Sequence, residues 1–262
     1  MTYGAFLGLF VLPPIVTLAA GVLRWPPPVP RRELAAGIGL LAVIAVVYTT
    51  PWDNYLVATE TWTYPEDRTW GITLGWVPLE EYCFFVLQTV LTGLWVGLWL
   101  RAGGGTARGQ RGGGLLRAGS AVLLLGIAAA AGAAVAAGPA SLRYGGLILA
   151  WAAPPLALQA AFGADLLAER WRTVLPGFAV PTAYLGAADS LAIGAGTWHI
   201  TERTSTGVLL PGGLPVEELL FFLVTNLLVT FGLVLVLIPE GRARARAIGA
   251  AVRGRLQTAE GI

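Results

Sequence analysis

The stretch "VPLEEYCFF" occupies residues 77–85, and "LPVEELLFF" occupies residues 214–222. Each sets a proline, two adjacent glutamates and a phenylalanine pair at the head of a long apolar run. Apolar runs of about 20 residues are long enough to cross a bilayer as helices. Read outward from these two, the chain shows seven such runs, near 3–23, 34–51, 78–100, 117–137, 144–164, 173–194 and 215–238. The sixth is broken up by Pro176, Pro181 and Asp189. The chain is 56% hydrophobic and 12% charged, against about 25% charged in an ordinary soluble domain. The expected fold is therefore all-α: a polytopic membrane protein with about seven transmembrane helices.

The two motifs belong to a longer internal repeat. Tyr3, Gly4, Pro13 and Pro14 recur as Tyr144, Gly145, Pro154 and Pro155. Tyr48, Asp53, Thr61, Trp62, Glu66 and Gly71 recur as Tyr184, Asp189, Thr197, Trp198, Glu202 and Gly207. Pro78, Glu80, Glu81, Phe84 and Phe85 then recur as Pro215, Glu217, Glu218, Phe221 and Phe222. Each repeat holds three spans and the fourth is a connector, so the second repeat enters the membrane in the same sense as the first. The repeats are expected to be parallel, related by an approximate two-fold axis along the membrane normal, unlike inverted transporter repeats. The expected organisation is a first three-helix repeat at 1–103, a Gly/Arg-rich linker with a connecting helix at 104–139, a second repeat at 140–240 and a basic tail at 241–262.

All seventeen basic residues are arginines. Fourteen fall on one side of the seven spans; Arg68, Arg143 and Arg203 fall on the other. The positive-inside rule then puts the N-terminus outside and the tail in the cytoplasm, in the cell (plasma) membrane. No basic residue precedes the first span and three follow it, which does not suit a cleavable signal peptide. The missing lysine excludes a Schiff-base photopigment. The single cysteine, Cys83, excludes an internal disulfide and reads as packing.

With this topology Glu80, Glu81, Glu217 and Glu218 share one membrane depth with Asp53 and Asp189, where the two-fold relation can bring them to a central cleft. Glutamate after Pro-x is also an ordinary helix start, favoured by the macrodipole. Two matched copies, each with an aspartate, point instead to chemistry, because ionisable groups at membrane depth are costly. Adjacent carboxyls partly out of water can hold one acid beside one base. Such a site suits proton transfer to and from an apolar substrate. Phe84, Phe85, Phe221 and Phe222, one turn on, with Trp62 and Trp198, can pack the site or face a cation. His199 has Thr63 as its repeat counterpart, which argues against an essential role. No P-loop, dinucleotide fingerprint or His/Cys metal spacing is present, so neither cofactor nor metal is expected, and nothing suggests nucleic acid as a partner.

The doubled Pro-x-Glu-Glu motif followed by paired aromatics, "PLEEYCFF" and "PVEELLFF", resembles the integral-membrane lycopene cyclases of the heterodimeric or fused bacterial, archaeal and fungal type. The resemblance covers about 1–100 and 140–240. It implies a cyclisation without net redox change: an acid protonates C2 of an open ψ-end, the C1 cation closes on C6, and a base removes a proton, β-rings following from loss at C6. It implies the acid role for Glu80 and Glu217, the first Glu of each motif. Glu81 and Glu218 would be bases or proton-sharing partners, with Asp53 and Asp189 in support. Lycopene or a related carotenoid would be the substrate, and the lipid bilayer and other carotenoid-pathway enzymes would be partners. A related cyclase making ε- or γ-rings or acting on C50 carotenoids fits equally. A proton-coupled transporter or channel is the reading from another class; against it, no chain of ionisable residues crosses the apolar core.

Overall fold

A computed structural model describes residues 1–101 and 113–260. The expected Gly/Arg-rich linker lies almost wholly outside them. Eight helices carry the described chain: α1 (Tyr3–Arg24), α2 (Arg31–Ala58), α3 (Leu79–Trp99), α4 (Gly113–Ala137), α5 (Arg143–Glu169), α6 (Trp171–Gly194), α7 (Val216–Leu237) and α8 (Pro239–Glu260). Six of them, α1 to α5 and α7, are both long and apolar enough to cross a membrane. The fold is that of an all-α polytopic membrane protein.

Several boundaries depart from the sequence reading. α2 was expected near 34–51 but runs on to Ala58, through Pro51. Side chains take up carbonyls around the break: Thr50 donates to Val46 O (2.5 Å) and Asn54 to Thr50 O (2.9 Å). At 1.5 Å per residue α2 is about 42 Å long, which carries Asp53 within helical structure to the carboxylate end of the bundle. α6 is likewise continuous through Pro176 and Pro181, and the Trp95 indole donates to the Pro176 carbonyl (2.8 Å). It has the length of a span without the apolarity of the other six. α1 carries a π-helical turn at Leu7–Val11 just before its proline pair. Pro78 and Pro215 stand at the N-caps of α3 and α7.

The motif helices α3 and α7 pack side by side and run in the same direction. Phe84 meets Phe222 with ring centroids 6.2 Å apart, Gln88 donates to Thr225 (2.7 Å) and Thr92 to Asn226 (2.6 Å). The packing around this pair repeats itself. α3 is flanked by α1, α2 and α6, as α7 is flanked by α5, α6 and α2. Tyr48 donates to the carbonyl of Trp151 (2.8 Å), and its repeat counterpart Tyr184 to that of Phe10 (2.7 Å). Connector α4 lies along α5 and is otherwise almost unburied.

Two loops close the carboxylate end. Each contains a two-stranded hairpin, Thr73–Leu74 (β2) with Val77–Pro78 (β3) and Leu209–Leu210 (β5) with Leu214–Pro215 (β6). The loops join through Trp62–Thr63 (β1) and His199–Ile200 (β4), antiparallel, with Thr63 opposite His199. Those two are themselves repeat counterparts, so the pseudo-axis passes between them. Glu60 holds a left-handed backbone (φ 55°) where the second repeat has Gly196 (φ 66°). The same turn is thus made once with glycine and once without. The opposite end is clasped by α8, whose Arg244 forms a bidentate pair with buried Asp165 of α5 (2.7 and 2.7 Å) while Arg242 reaches Glu33 of α2 (2.5 Å).

Candidate active site

The six carboxylates come together at one end of the bundle, and all six are buried. Adjacent residues on a helix differ by about 100° in direction, so the two glutamates of each motif face different surroundings. Glu80 turns to its own loop, where its carboxylate accepts from the Trp70 backbone N–H. Glu217 does the same, accepting from the backbone N–H (2.7 Å) and hydroxyl (2.7 Å) of Thr206. Glu81 and Glu218 face inward and, with Asp189, line a small chamber of about 40 Å³. The first glutamate of each pair, expected to be the acid, is thus turned away from this chamber and holds a loop.

Tyrosines fix the inward pair. Glu81 Oε2 accepts from Tyr3 (2.6 Å) and Tyr64 (2.7 Å), and Glu218 Oε1 accepts from Tyr144 (2.5 Å). Tyr3 and Tyr144 are repeat counterparts, whereas Tyr64 corresponds to Ile200, so the first carboxylate has one donor more than the second. Burial and the nearby Glu81 charge hold the Tyr64 phenol well above its ordinary value, which keeps it a donor. The aspartates also differ. Asp189 lines the chamber beside Trp198, with Oδ2 unpartnered among the described residues. Asp53, close enough to Glu81 to interact electrostatically, has no hydrogen-bond partner on either oxygen among the described residues, and neither has the Trp62 indole nitrogen.

Aromatic rings make up most of the remaining wall. Phe84, Phe221, Phe222, Trp62 and Trp198 line the chamber together with Phe6, Tyr3 and Tyr64. Trp198 packs on Tyr3 (4.9 Å) and Phe6 (5.1 Å), and Trp62 on Tyr144 (5.5 Å), so each loop tryptophan caps the other repeat's tyrosine. Phe85, expected beside Phe84, points the other way, into a separate groove between helices. Tyr3, Tyr144, Tyr64 and Phe6 were not singled out in the sequence as site residues. The matched pair Tyr3 and Tyr144 carried a usable signal as repeated polar aromatics, whereas Tyr64 carried none.

The family described as "Lycopene cyclase" matches residues 3–98 and 144–237. The chain belongs to the lycopene cyclase family. It is 44% identical over 237 residues to a Lycopene beta-cyclase of Halobacterium salinarum, covering 89% of this chain and 95% of the relative. It is also 37% identical over 212 residues to a Bifunctional lycopene cyclase/phytoene synthase of Aspergillus niger, covering 75% of this chain and 34% of that longer protein. A bifunctional relative from Phaeosphaeria nodorum is 39% identical over 238 residues, which is 85% of this chain and 39% of the relative. No solved structure matches. This family's sites must act on a hydrocarbon, and an aromatic chamber with two inward carboxyls meets that demand.

Proposed function

We propose that the protein is a lycopene β-cyclase that closes the open ψ-ends of lycopene by proton addition and proton removal. The observation that carries this reading is the inward pair Glu81 and Glu218, each fixed by a tyrosine, in a chamber otherwise walled almost entirely by aromatic rings. Glu218, with a single phenolic donor, gives a proton to C2 of the ψ-end. The tertiary cation at C1 is attacked by the C5=C6 double bond, and the ring forms. Glu81, whose two phenolic donors favour a carboxylate through charge-assisted hydrogen bonds, takes the proton from C6 and leaves the β-ring double bond. Atoms and electrons balance, since one proton enters and one leaves.

The faces of Phe84, Phe221, Phe222, Trp62 and Trp198 suit the transient cation, an interaction of about 2 kcal/mol or more where water is excluded. The acid ends each cycle ionised and the base protonated, so one proton returns between them. Asp189, which lines the chamber with Glu218, and Asp53, within electrostatic reach of Glu81, carry it in this reading. Glu80 and Glu217 hold the roofing loops. The arginine distribution supports an N-terminus outside the cell membrane and a cytoplasmic α8, which places the chamber at the outer end of the bundle.

The test is expression in a bacterial host that accumulates lycopene, with pigments separated by chromatography. β-Carotene and its monocyclic precursor are the expected products. Unchanged lycopene, with the protein present in the membrane, would refute the reading.

A further inference from the structure

A second cavity, of about 530 Å³, opens on the side of the bundle between α2, α3, α5 and α7. Its volume lies within the ~300–1,000 Å³ usual for ligand sites. Ala45 and Tyr48 of α2, Phe85 of α3, and Trp151 and Leu158 of α5 line it, and Phe221 of α7 lines both this groove and the carboxylate chamber. Phe221 therefore forms the partition between the two spaces. It is held in an aromatic stack, parallel to Trp52 (6.0 Å, 6°) and near-parallel to Trp151 (6.4 Å, 25°). Along α7 the groove runs from Phe221 to Val229, about 12 Å at 1.5 Å per residue. It thus follows the helix axes, the direction in which a long apolar molecule lies among lipid tails. Glu218 is one turn above Phe221, at the chamber end.

We propose that this groove receives the linear polyene chain of the substrate from the bilayer, and that Phe221 is the movable partition through which the reacting end passes to Glu81 and Glu218. The proposal rests on the cyclase reading above. The occupant follows from continuity: the chamber, at about 40 Å³, is too small for an isoprenoid end-group as it stands, and the groove directly adjoins it across one side chain. The indoles that hold Phe221 belong to one side of the pseudo-symmetric bundle. The repeat counterparts of Trp52, Trp151 and Phe221 are Ala188, Phe10 and Phe84, with no indole among them.

Two experiments test this. Ala45→Trp fills the groove from its α2 wall, and Val180→Trp adds the same bulk to the lipid-exposed face of α6. Lycopene conversion is expected to fall at least tenfold in Ala45→Trp and less than twofold in Val180→Trp. Equal conversion in the two, or loss in Val180→Trp alone, overturns the proposal. The second readout needs no turnover and covers the case in which Ala45→Trp does not accumulate. In a Cys83→Ser background, a nitroxide is attached at Leu158→Cys or at its repeat counterpart Thr17→Cys, and the full chain is placed in bilayer discs. Added lycopene is expected to immobilise the label at 158 and leave that at 17 unchanged; an unaffected label at 158 overturns the proposal. If the parent protein makes no cyclised product, the cyclase reading fails, and the label at 158 alone decides whether the groove binds a polyene.

Discussion

Glu81 and Glu218 are separated from their neighbours Glu80 and Glu217 by a single helical step, yet their surroundings demand different consequences on substitution. Removing a positioned proton donor or acceptor costs about 10²–10⁴-fold in rate, so Glu81→Gln and Glu218→Gln are each expected to reduce cyclised product by at least 100-fold. Glu80→Gln and Glu217→Gln keep an oxygen that accepts from the Trp70 and Thr206 backbone. Both are expected to stay within about fivefold of the parent, while the alanine variants, which lose the loop contact, fall further. Complete loss in Glu80→Gln would return the proton to the first glutamate. Tyr64→Phe removes one of two donors to Glu81. A hydrogen bond to a charged group contributes about 1.5–3 kcal/mol, so the expected loss is about 10- to 100-fold, read from initial rates of pigment formation. The doubled glutamates were legible in the sequence because the repeat singled them out. Which member of each pair faces the chamber was not, because that depends on loop backbone groups and on phenols from α1 and α5, remote in the chain.

At the scale of elements, the pairing of α3 with α7 decides whether the chamber exists at all. Below the phenylalanines the two helices are linked by Gln88 to Thr225 and Thr92 to Asn226, and Asn226 continues to Thr182 of α6 (3.2 Å). Hydrogen bonds between membrane helices average about 0.6 kcal/mol in measured cases, but a buried group left without its partner costs about 1–3 kcal/mol. Thr92→Val, which strands the Asn226 carbonyl oxygen, is expected to lower the unfolding temperature in detergent by several degrees, whereas Thr92→Ser is expected to leave it unchanged. The α2–α3 contact rests on small residues instead. A Cβ added at Gly93 would lie 2.6 Å from Ile38, and one at Gly97 2.7 Å from Leu34. This Gly-x-x-x-Gly spacing lets two membrane helices approach closely. Helix existence was plain from the apolar runs. Helix ends were not: Pro51, Pro176 and Pro181 read as breaks, but the helices continue through them, with side chains bonded to carbonyls close by. The clasp of α8 on Asp165 and Glu33 was also hidden, since a basic tail reads as free until its acidic partners are placed beneath it.

Over the whole molecule, three spans plus one connector implied parallel repeats, and the shared direction of α3 and α7 with reciprocal Tyr48 and Tyr184 contacts realises that geometry. The departures from symmetry could not be weighed in advance, because a repeat comparison gives Tyr64 against Ile200, or Trp52 against Ala188, no more emphasis than any other mismatch. On the route proposed above, they set the order of the reaction. The two inward carboxylates are inequivalent and close on one chamber, and a mainly aliphatic groove adjoins it across Phe221. A substrate with two reactive ends then presents them in turn: the first ring must withdraw past Phe221 before the second end is admitted. A time course with purified enzyme in lipid discs and excess lycopene is therefore expected to show the monocyclic carotenoid rising first, without a lag, and the bicyclic product following with one. Adding unlabelled monocyclic carotenoid to isotopically labelled lycopene is expected to dilute the label in the bicyclic product, because the intermediate is released and rebinds. Bicyclic product that keeps its full label would mean that both ends react during one encounter, and the single-groove route would then be wrong.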